Sequence, residues 1–352
     1  MEQKKRIEYI DALRGFTMIL VVYQHLETYG CHMSETIICR LFMNFRLPLF
    51  FFISGYLAYK ASQQWDAKSL YNNILKKAKI QLIPTLIFGL IYTYFVANTT
   101  FTTFVKSPIK LGYWFTLVLL CFFIIYYTIS YICNKFSKTR NLKTGIAITL
   151  CVVSIVLYCA KLIFRFTPSL NTLYDTLSLY YVFTFFPFFA FGIIAKIYNE
   201  EFNKLFNHSL YSAIIIILFI TIFIFRTVDG LIPHSINTII DPLLMILNGI
   251  FGITIVYNFF RKYQTSFSQQ TRLGKTLQYI GHRTFDIYLL HFILIPDLTP
   301  FAQYLNSSST TVVGLFMGII IALMIIAVCL VISNTIRLSP ILAHYLFGAK
   351  KQ

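Results

Sequence analysis

The sequence predicts an all-α integral membrane protein that crosses the bilayer about ten times, with both termini in the cytoplasm. Three observations lead to this prediction. The chain is 57% hydrophobic and only 12% charged, whereas a soluble domain is about one quarter charged. Apolar blocks of roughly 20 residues, enough helix to cross about 30 Å of hydrocarbon, recur along the whole length. Most of the 30 Lys and Arg residues fall between blocks, on the side that would face the cytoplasm.

The apolar blocks set the predicted spans. We place them at residues 10–29, 41–59, 80–98, 111–131, 144–164, 177–197, 210–225, 236–259, 279–298 and 312–335. The first block is interrupted by polar residues and lacks a small-residue cleavage site, so we predict that it stays as the first span. Short cytoplasmic tails at about 1–9 and 337–352 flank a single membrane domain that takes up residues 1–352.

The net charge of +17 could indicate a nucleic-acid partner. Its distribution argues otherwise, because the excess of Lys and Arg follows the positive-inside rule and therefore reports topology. The lipid bilayer is therefore a predicted partner of the protein, and no nucleic-acid partner is predicted. The seven cysteines show no metal-ligand spacing, so no metal is predicted. Cys31 and Cys39 flank the first outer loop, where a disulfide is one alternative.

The first span, "DALRGFTMILVVYQHLETYG", carries two residues that a bilayer tolerates poorly, Arg14 and His25. Their spacing of eleven residues is three helical turns plus about 20°, so they share one face about 16 Å apart along the axis. Asp11, three residues before Arg14, can pair with it and lower the cost of burial. Glu27 lies on a different side from His25 and is a poor candidate for orienting that ring.

The second span, "RLFMNFRLPLFFFISGYLAYK", places Arg46 about two turns below the outer surface, near the depth of His25. Pro48 can break the local hydrogen bonding, and irregular backbone at that depth is tolerated where it lines a cavity. The alternative is that Arg46 extends its charged head outward to water. Arg40 already occupies the interfacial position, which favours a role for Arg46 inside the membrane.

The ninth span, "YIGHRTFDIYLLHFILIP", holds Asp286 about two turns in and His291 about 18 Å from the inner edge. A lone membrane histidine is often only a hydrogen-bond partner between helices. Three cationic or titratable groups at similar depth on three helices, namely His25, Arg46 and His291, favour acid–base chemistry over a metal centre.

Three lysines, Lys76, Lys77 and Lys79, lie at the cytoplasmic mouth of the third span in "SLYNNILKKAKIQLIP". Taken alone they are explained by topology. Together with Arg14 they could form a basic vestibule for a phosphorylated cytosolic ligand.

Four stretches together resemble acyltransferase family 3, a family of integral membrane acyltransferases. They are "RIEYIDALRGFTMILVVYQH", "RLPLFFFISGYLAYK", "GYWFTLVLLCFFIIY" and "IGHRTFDIYLLHFIL", in the order and spacing of that family. The resemblance implies O-acylation, most often O-acetylation, of a carbohydrate or glycolipid on the far side of a bacterial cytoplasmic membrane. The implied donor is cytosolic acetyl-CoA or another acyl-CoA. A homo-oligomer or a cell-envelope partner remains open, as do the acceptor sugar and the acyl group.

The resemblance also assigns residues. Arg14 and His25 match the family's arginine–histidine pair, Arg46 the basic position opening the second motif, and His291 the histidine closing the last. The family often has arginines before the proline of the third helix, where this chain has "KKAKIQLIP". The chain ends soon after the tenth predicted span and so resembles the short members that lack a fused extracytoplasmic domain.

The steps of the implied acyl transfer can be assigned to these predicted site residues. Arg14, Lys76, Lys77 and Lys79 would hold the donor phosphates, and neutral His25 would be the base. Arg46 or His291 would stabilise the oxyanion or orient the acceptor. Direct transfer and an acyl-histidine intermediate both remain open.

The main alternative function is a transporter or flippase of a polysaccharide or polar lipid, with the same residues lining its path. No convincing internal repeat of the kind common in transporters is visible. A structural or sensory protein is a third reading, but it leaves the arginine–histidine helix unexplained.

Overall fold

A computed structural model of the chain describes residues 6–32, 36–61, 63, 65–136, 142–164, 171–228, 234–300, 302 and 311–349. Within these ranges the regular structure is helical, with no strand, so the predicted all-α membrane class is confirmed. The helices are α1 Glu8–His25, α2 Ile37–Met43, α3 Arg46–Ala58, α4 Ala67–Phe95, α5 Phe101–Lys106, α6 Trp114–Phe136, α7 Leu142–Phe164, α8 Asn171–Thr176, α9 Leu179–Ile197, α10 Asn199–Asn207, α11 Ser209–Thr227, α12 His234–Lys262, α13 Arg272–His282, α14 Thr284–Leu294, α15 Thr311–Ile336 and α16 Pro340–Phe347.

Seven of the predicted spans coincide with helical segments long and apolar enough to cross a membrane, counted over the described residues. These segments are Ile37–Ala58, Trp114–Phe136, Leu142–Lys161, Leu179–Ile197, Ser209–Thr227, Ile240–Lys262 and Val313–Ile336. The other three predicted spans are helical as well. The first is α1, which carries Glu8, Asp11 and Arg14, and the third lies in the 29-residue α4.

The ninth predicted span is two helices rather than one. Arg283, with φ −106° and ψ 11°, separates α13 from the shorter apolar α14. Two side-chain contacts lie at the break. Thr284 accepts a hydrogen bond from Arg14, and the Arg283 guanidinium lies 3.6 Å from the Asp286 carboxylate.

Two compact units make up the chain. The first unit comprises Met1–Phe50 and Glu200–Ser333, and the second unit comprises Phe51–Asn199 and Asn334–Gln352. Each unit therefore joins segments that are far apart in sequence.

In the first unit, α1 packs along α13 with the two backbones in direct contact. Gly15 and Gly281 make this approach possible. A Cβ atom built on Gly15 would lie 1.9 Å from the Leu277 carbonyl oxygen, and one built on Gly281 would lie 1.9 Å from the Asp11 carbonyl oxygen. No larger residue fits between the helices at these points. The glycine pair therefore sets the separation of the helices and brings Asp11 and Arg14 beside the end of α13.

The second unit has an aromatic core. Phe51 packs edge-on against Phe122, with ring centroids 5.0 Å apart, and Phe122 packs against Phe189 at 5.4 Å. All three side chains are at most 1% exposed. Such pairs add about 0.5–1.5 kcal/mol each to the stability given by burial alone, so these rings join α3, α6 and α9.

Lys110 holds together the connection that precedes α6. Its Nζ donates hydrogen bonds to the carbonyl oxygens of Val105 (2.7 Å), Ser107 (2.7 Å) and Asp175 (3.1 Å). The side chain is buried, and burial lowers the pKa of Lys110 to about 8. One ammonium group therefore serves as the donor for carbonyls from two connections of the second unit.

We expect Lys110→Met to lower the free energy of unfolding by about 1–3 kcal/mol, because carbonyls that lose a donor on burial cost about that much. The pH dependence has a defined sign. Between about pH 8 and 10.4 the unfolded chain retains this proton and the folded chain releases it, so stability should rise with pH through that window. Thermal unfolding of the detergent-solubilised protein at several pH values measures both effects. Identical melting profiles for the two proteins at every pH would contradict the assignment.

Candidate active site

His25 and His291 meet in the first unit. His25 is the last residue of α1, and His291 lies in the last turn of α14. The His25 Nδ1 atom is 2.8 Å from the His291 Nε2 atom, and the two rings are nearly parallel, with centroids 5.0 Å apart. The structure thus brings together two of the three predicted catalytic residues in a direct hydrogen bond.

The hydrogen bonds of His291 determine which nitrogen of each neutral ring carries the proton. His291 Nδ1 lies 3.0 Å from the Ile287 carbonyl oxygen, and a carbonyl can only accept, so Nδ1 is the protonated nitrogen. His291 Nε2 must then accept a hydrogen bond from His25 Nδ1–H. The same logic leaves His25 Nε2 with its lone pair. In the neutral pair, His25 is therefore the ring prepared to take a proton.

The two rings differ in access. His291 is completely buried, whereas His25 is half-buried and lies at the start of a π-helical turn, Leu26–Gly30. Phe292 packs against both rings, with centroids 4.7 Å from His25 and 4.2 Å from His291, and Tyr29 packs edge-on against His25. A wide turn of this kind is frequent at functional sites. His25 is therefore the more accessible ring of the pair, and His291 is the buried ring to which it is hydrogen-bonded.

Arg46 is the first residue of α3 and is only 5% exposed, so its charged head does not extend to the surface of the chain. It is close enough to His25 to act on it electrostatically. The predicted effect of Pro48 is confirmed, because the helix is interrupted at Asn44 and Phe45. The proline ring clashes with the carbonyl four residues earlier, which is that of Asn44.

Arg14 is held at the other end of α1. Its guanidinium donates to Thr284 Oγ1 at 2.9 Å and lies 3.6 Å from Asp11. The predicted pairing of Asp11 with Arg14 is therefore confirmed. Asp11 also contacts His282 at 3.1 Å, and the Arg14 side chain keeps 30% of its surface exposed. A cation that is fixed and still accessible is suited to bind an anionic ligand.

The three candidate lysines lie on α4, in the second unit. Lys76 and Lys79 are exposed, while Lys77 is partly buried with its Nζ 3.9 Å from the centre of the Phe123 ring. Lys77 therefore has a cation–π contact within its own unit.

The chain was compared with models of protein families. The sequence model of the acyltransferase domain of family 3 matches residues 7–334 of the 352. The chain belongs to acyltransferase family 3. Comparison with curated proteins and with solved structures gives no match. The resemblance stated from four sequence motifs is thus confirmed over nearly the whole chain, across both units.

Two interactions of this acyltransferase were not predicted from the sequence. Asp286 accepts a hydrogen bond from Ser333 at 2.5 Å, which ties α14 to α15. Tyr23 donates to Glu27, so Glu27 is engaged away from the His25 ring. For the first interaction, the sequence does show a carboxylate, Asp286, within an apolar helix. It does not show that Ser333, 47 residues away, is the hydrogen-bond donor to that carboxylate.

Within the described ranges, the cysteines and the other possible metal ligands of the acyltransferase form no recognisable centre. Cys31 and Cys39 are not joined by a disulfide in the structure. Among the residues described, no group of three or more His, Cys, Asp and Glu side chains is arranged to hold a metal ion.

Proposed function

We propose that this acyltransferase moves an acyl group, with acetyl as the first choice, from cytosolic acyl-CoA to a hydroxyl of a carbohydrate or glycolipid outside the cytoplasmic membrane. The observation that carries the proposal is the hydrogen-bonded pair of His25 and His291, which leaves a basic nitrogen on the more accessible ring. The donor and acceptor classes come from the family resemblance.

The chemistry of the step needs a base and a stabilised oxyanion. His25 Nε2 takes the proton of the acceptor hydroxyl while its oxygen bonds to the thioester carbonyl carbon. The tetrahedral oxyanion that forms lies near a cation, for which Arg46 is the candidate. When the carbon–sulfur bond breaks, the thiolate takes the proton from His25, so free CoA and the acyl ester are the products. If His25 Nε2 attacks the thioester first, the same atoms serve a route through an acyl-histidine.

His291 acts on this step through His25. Because it accepts from Nδ1–H, it fixes the ring orientation and the position of the proton on His25. As His25 becomes cationic, the shared Nδ1 proton strengthens its bond to His291, since a hydrogen bond from a charged donor is about twice as strong as a neutral one. His291 is therefore a positioning residue in this scheme.

The donor would be bound by its phosphates. CoA is polyanionic and cannot enter hydrocarbon, but its pantetheine arm spans roughly half a bilayer. Arg14 and His25 lie eleven residues apart on α1, about 16 Å along the axis, so phosphates at Arg14 leave the thioester near His25. Lys76, Lys77 and Lys79 are further candidate phosphate ligands by their charge.

The direct test supplies labelled acetyl-CoA to membranes that contain the protein. We expect label to appear in carbohydrate as an ester that mild base releases, and to be absent from membranes lacking the protein. Translocation of a labelled lipid-linked sugar with no acetyl incorporation would instead support the transporter and overturn the proposal. Running the same assay with succinyl-CoA distinguishes the acyl group.

Arg14→Gln should raise the KM for acetyl-CoA by about tenfold while kcat changes by less than threefold. A lost charge-assisted hydrogen bond is worth about 1.5–3 kcal/mol, and 1.4 kcal/mol corresponds to tenfold. Initial rates over a range of acetyl-CoA concentrations separate the two constants. Arg272→Gln is the matched control, since Arg272 is an exposed arginine at the start of α13. Equal KM values for the Arg14 and Arg272 variants would rule out a donor role for Arg14.

A further inference from the structure

The interruption between α2 and α3 is held by side chains from two other helices of the first unit. Asn44 Nδ2 donates to the Arg40 carbonyl oxygen at 2.7 Å, and Asn44 Oδ1 accepts from Arg226 Nη1 at 2.5 Å. Arg226 Nε in turn donates to Asp241 Oδ1 at 2.6 Å. Arg226 lies in the last turn of α11 and Asp241 lies in α12, so one guanidinium binds acceptors on two different segments.

The next residue, Phe45, is wedged into the same helices. It is 7% exposed and packs edge-on against Phe219 of α11, with ring centroids 6.3 Å apart. A Cβ atom on Gly252 of α12 would lie 2.6 Å from the Phe45 Cβ, so no other residue type allows this close approach. Asn44 is fixed by its polar contacts and Phe45 by its packing.

Arg226, Asn44 and Asp241 together form a clamp on this segment. The backbone hydrogen bonds show which conformation the clamp stabilises. Asn44 N–H donates to the Leu41 carbonyl and Phe45 N–H to the Phe42 carbonyl, which is the tight i→i+3 pattern, before α3 begins. A continuous helix through this point would rotate and shift everything that follows. The first residue that follows is Arg46, the buried cation near His25.

We propose that Arg226, through Asn44 and with Asp241 as its counter-ion, is a positioning residue that sets the place of Arg46 at the active site. This inference rests on the proposed acyl transfer. Arg226 does not touch the histidine pair in the contacts above; it acts on the segment from which Arg46 projects. A guanidinium is required because its flat, forked donors serve Asn44 and Asp241 at once, which a lysine ammonium does not reproduce.

The test is a double-mutant cycle on acetyl transfer from labelled acetyl-CoA. Arg226→Lys and Asp241→Asn should each lower kcat by about 10- to 100-fold, the scale of a catalytic group displaced by a fraction of an ångström to one ångström. The KM for acetyl-CoA should change by less than about twofold, because Arg14 and its contacts are untouched. In an Arg46→Gln background, Arg226→Lys should cause little further loss, because two residues that act through one group are not additive.

Arg261→Gln is the matched control, since Arg261 donates to Asn207 at 2.7 Å in the same unit and therefore also forms an arginine–asparagine contact. It should leave kcat unchanged. Amide hydrogen exchange of the peptide around residues 40–50 should be faster in the Arg226 variant than in the control, which reports the clamp without any activity assay.

Several outcomes would overturn the inference while leaving acyl transfer intact. The first is full activity in both Arg226→Lys and Asp241→Asn. The second is a loss of kcat on Arg226→Lys that is as large in the Arg46→Gln background as in the wild type. The third is an unchanged rate of amide hydrogen exchange around residues 40–50. If Arg226→Lys fails to fold, Asp241→Asn and Asn44→Ala carry the same comparison. A wild-type protein without acyl transfer would instead be a failure of the proposed function, and the exchange experiment would still test the clamp.

Discussion

Replacing His25 with alanine should abolish acyl transfer while the protein remains inserted in the membrane. The expected loss in turnover is about 10²- to 10⁴-fold, the contribution of a positioned general base. The reason lies in the hydrogen bonds, because His25 holds the ring nitrogen of the pair that keeps a lone pair. His25 is also the less buried of the two rings. Label incorporated from acetyl-CoA into carbohydrate, measured per amount of inserted protein, gives the loss.

Four further variants make this result specific. His25→Asn keeps an N–H near the position of Nδ1 for His291 but supplies no base, so it should be as inactive as alanine. His291→Gln offers an amide oxygen near the position of Nε2, so it should retain more activity than His291→Leu. His208→Ala, which changes an exposed histidine before α11, should have wild-type activity. Undiminished transfer in His25→Ala would remove His25 from the mechanism.

Much of the fold follows from signals that are local in sequence. An apolar block of 20 residues has to cross the membrane as a helix whatever its neighbours are, and seven of the predicted spans coincide with such helices. The pairing of Asp11 with Arg14 could also be predicted, because three residues of separation place both side chains on one face. The matching depths of His25 and His291 followed from counting residues along two helices.

The remaining features depend on partners distant in the chain. His25 and His291 are 266 positions apart, so depth alone predicted that they were level with each other and not that they shared a proton. In the sequence, Arg226 looks like an ordinary charge at the end of a membrane span. Nothing in the local sequence indicates that Asn44, 182 positions away, accepts its hydrogen bond. The break at Arg283 was missed although the sequence changes character there, since α13 is amphipathic and α14 is apolar. The contacts of Thr284 and Asp286 mark where the helix is divided.

The structure also changes the division of roles among the predicted residues. Arg46 and His291 were alternatives for stabilising the oxyanion or orienting the acceptor. His291 is buried and has both ring nitrogens engaged, one with Ile287 and one with His25, so it has no ring nitrogen left to contact a substrate. In the proposed transfer, oxyanion stabilisation therefore falls to Arg46, so the position of the Arg46 backbone should strongly affect the rate.

We expect Gly281→Ala to disturb both the contacts of Arg14 and the position of His291. The added methyl group would lie 1.9 Å from the Asp11 carbonyl oxygen, which is backbone and cannot move aside alone. The two helices must separate, at a cost of about 1–3 kcal/mol or more in the free energy of unfolding. The separation would draw Thr284 away from Arg14 and His282 away from Asp11, and it would shift α14, which carries His291.

Gly314→Ala is the matched control for this prediction, because Gly314 is a helical glycine of the first unit with nothing within 4 Å of its built Cβ atom. Alanine should leave that helix unchanged or stabilise it by about 0.5–1 kcal/mol. Scanning calorimetry or fluorescence of the solubilised variants gives the melting temperatures, and labelled acetyl-CoA gives the activity. A lower melting temperature and lost transfer in Gly281→Ala alone are the expected pair of results. Wild-type values for both variants would mean that the contact between α1 and α13 does not set the geometry of the site.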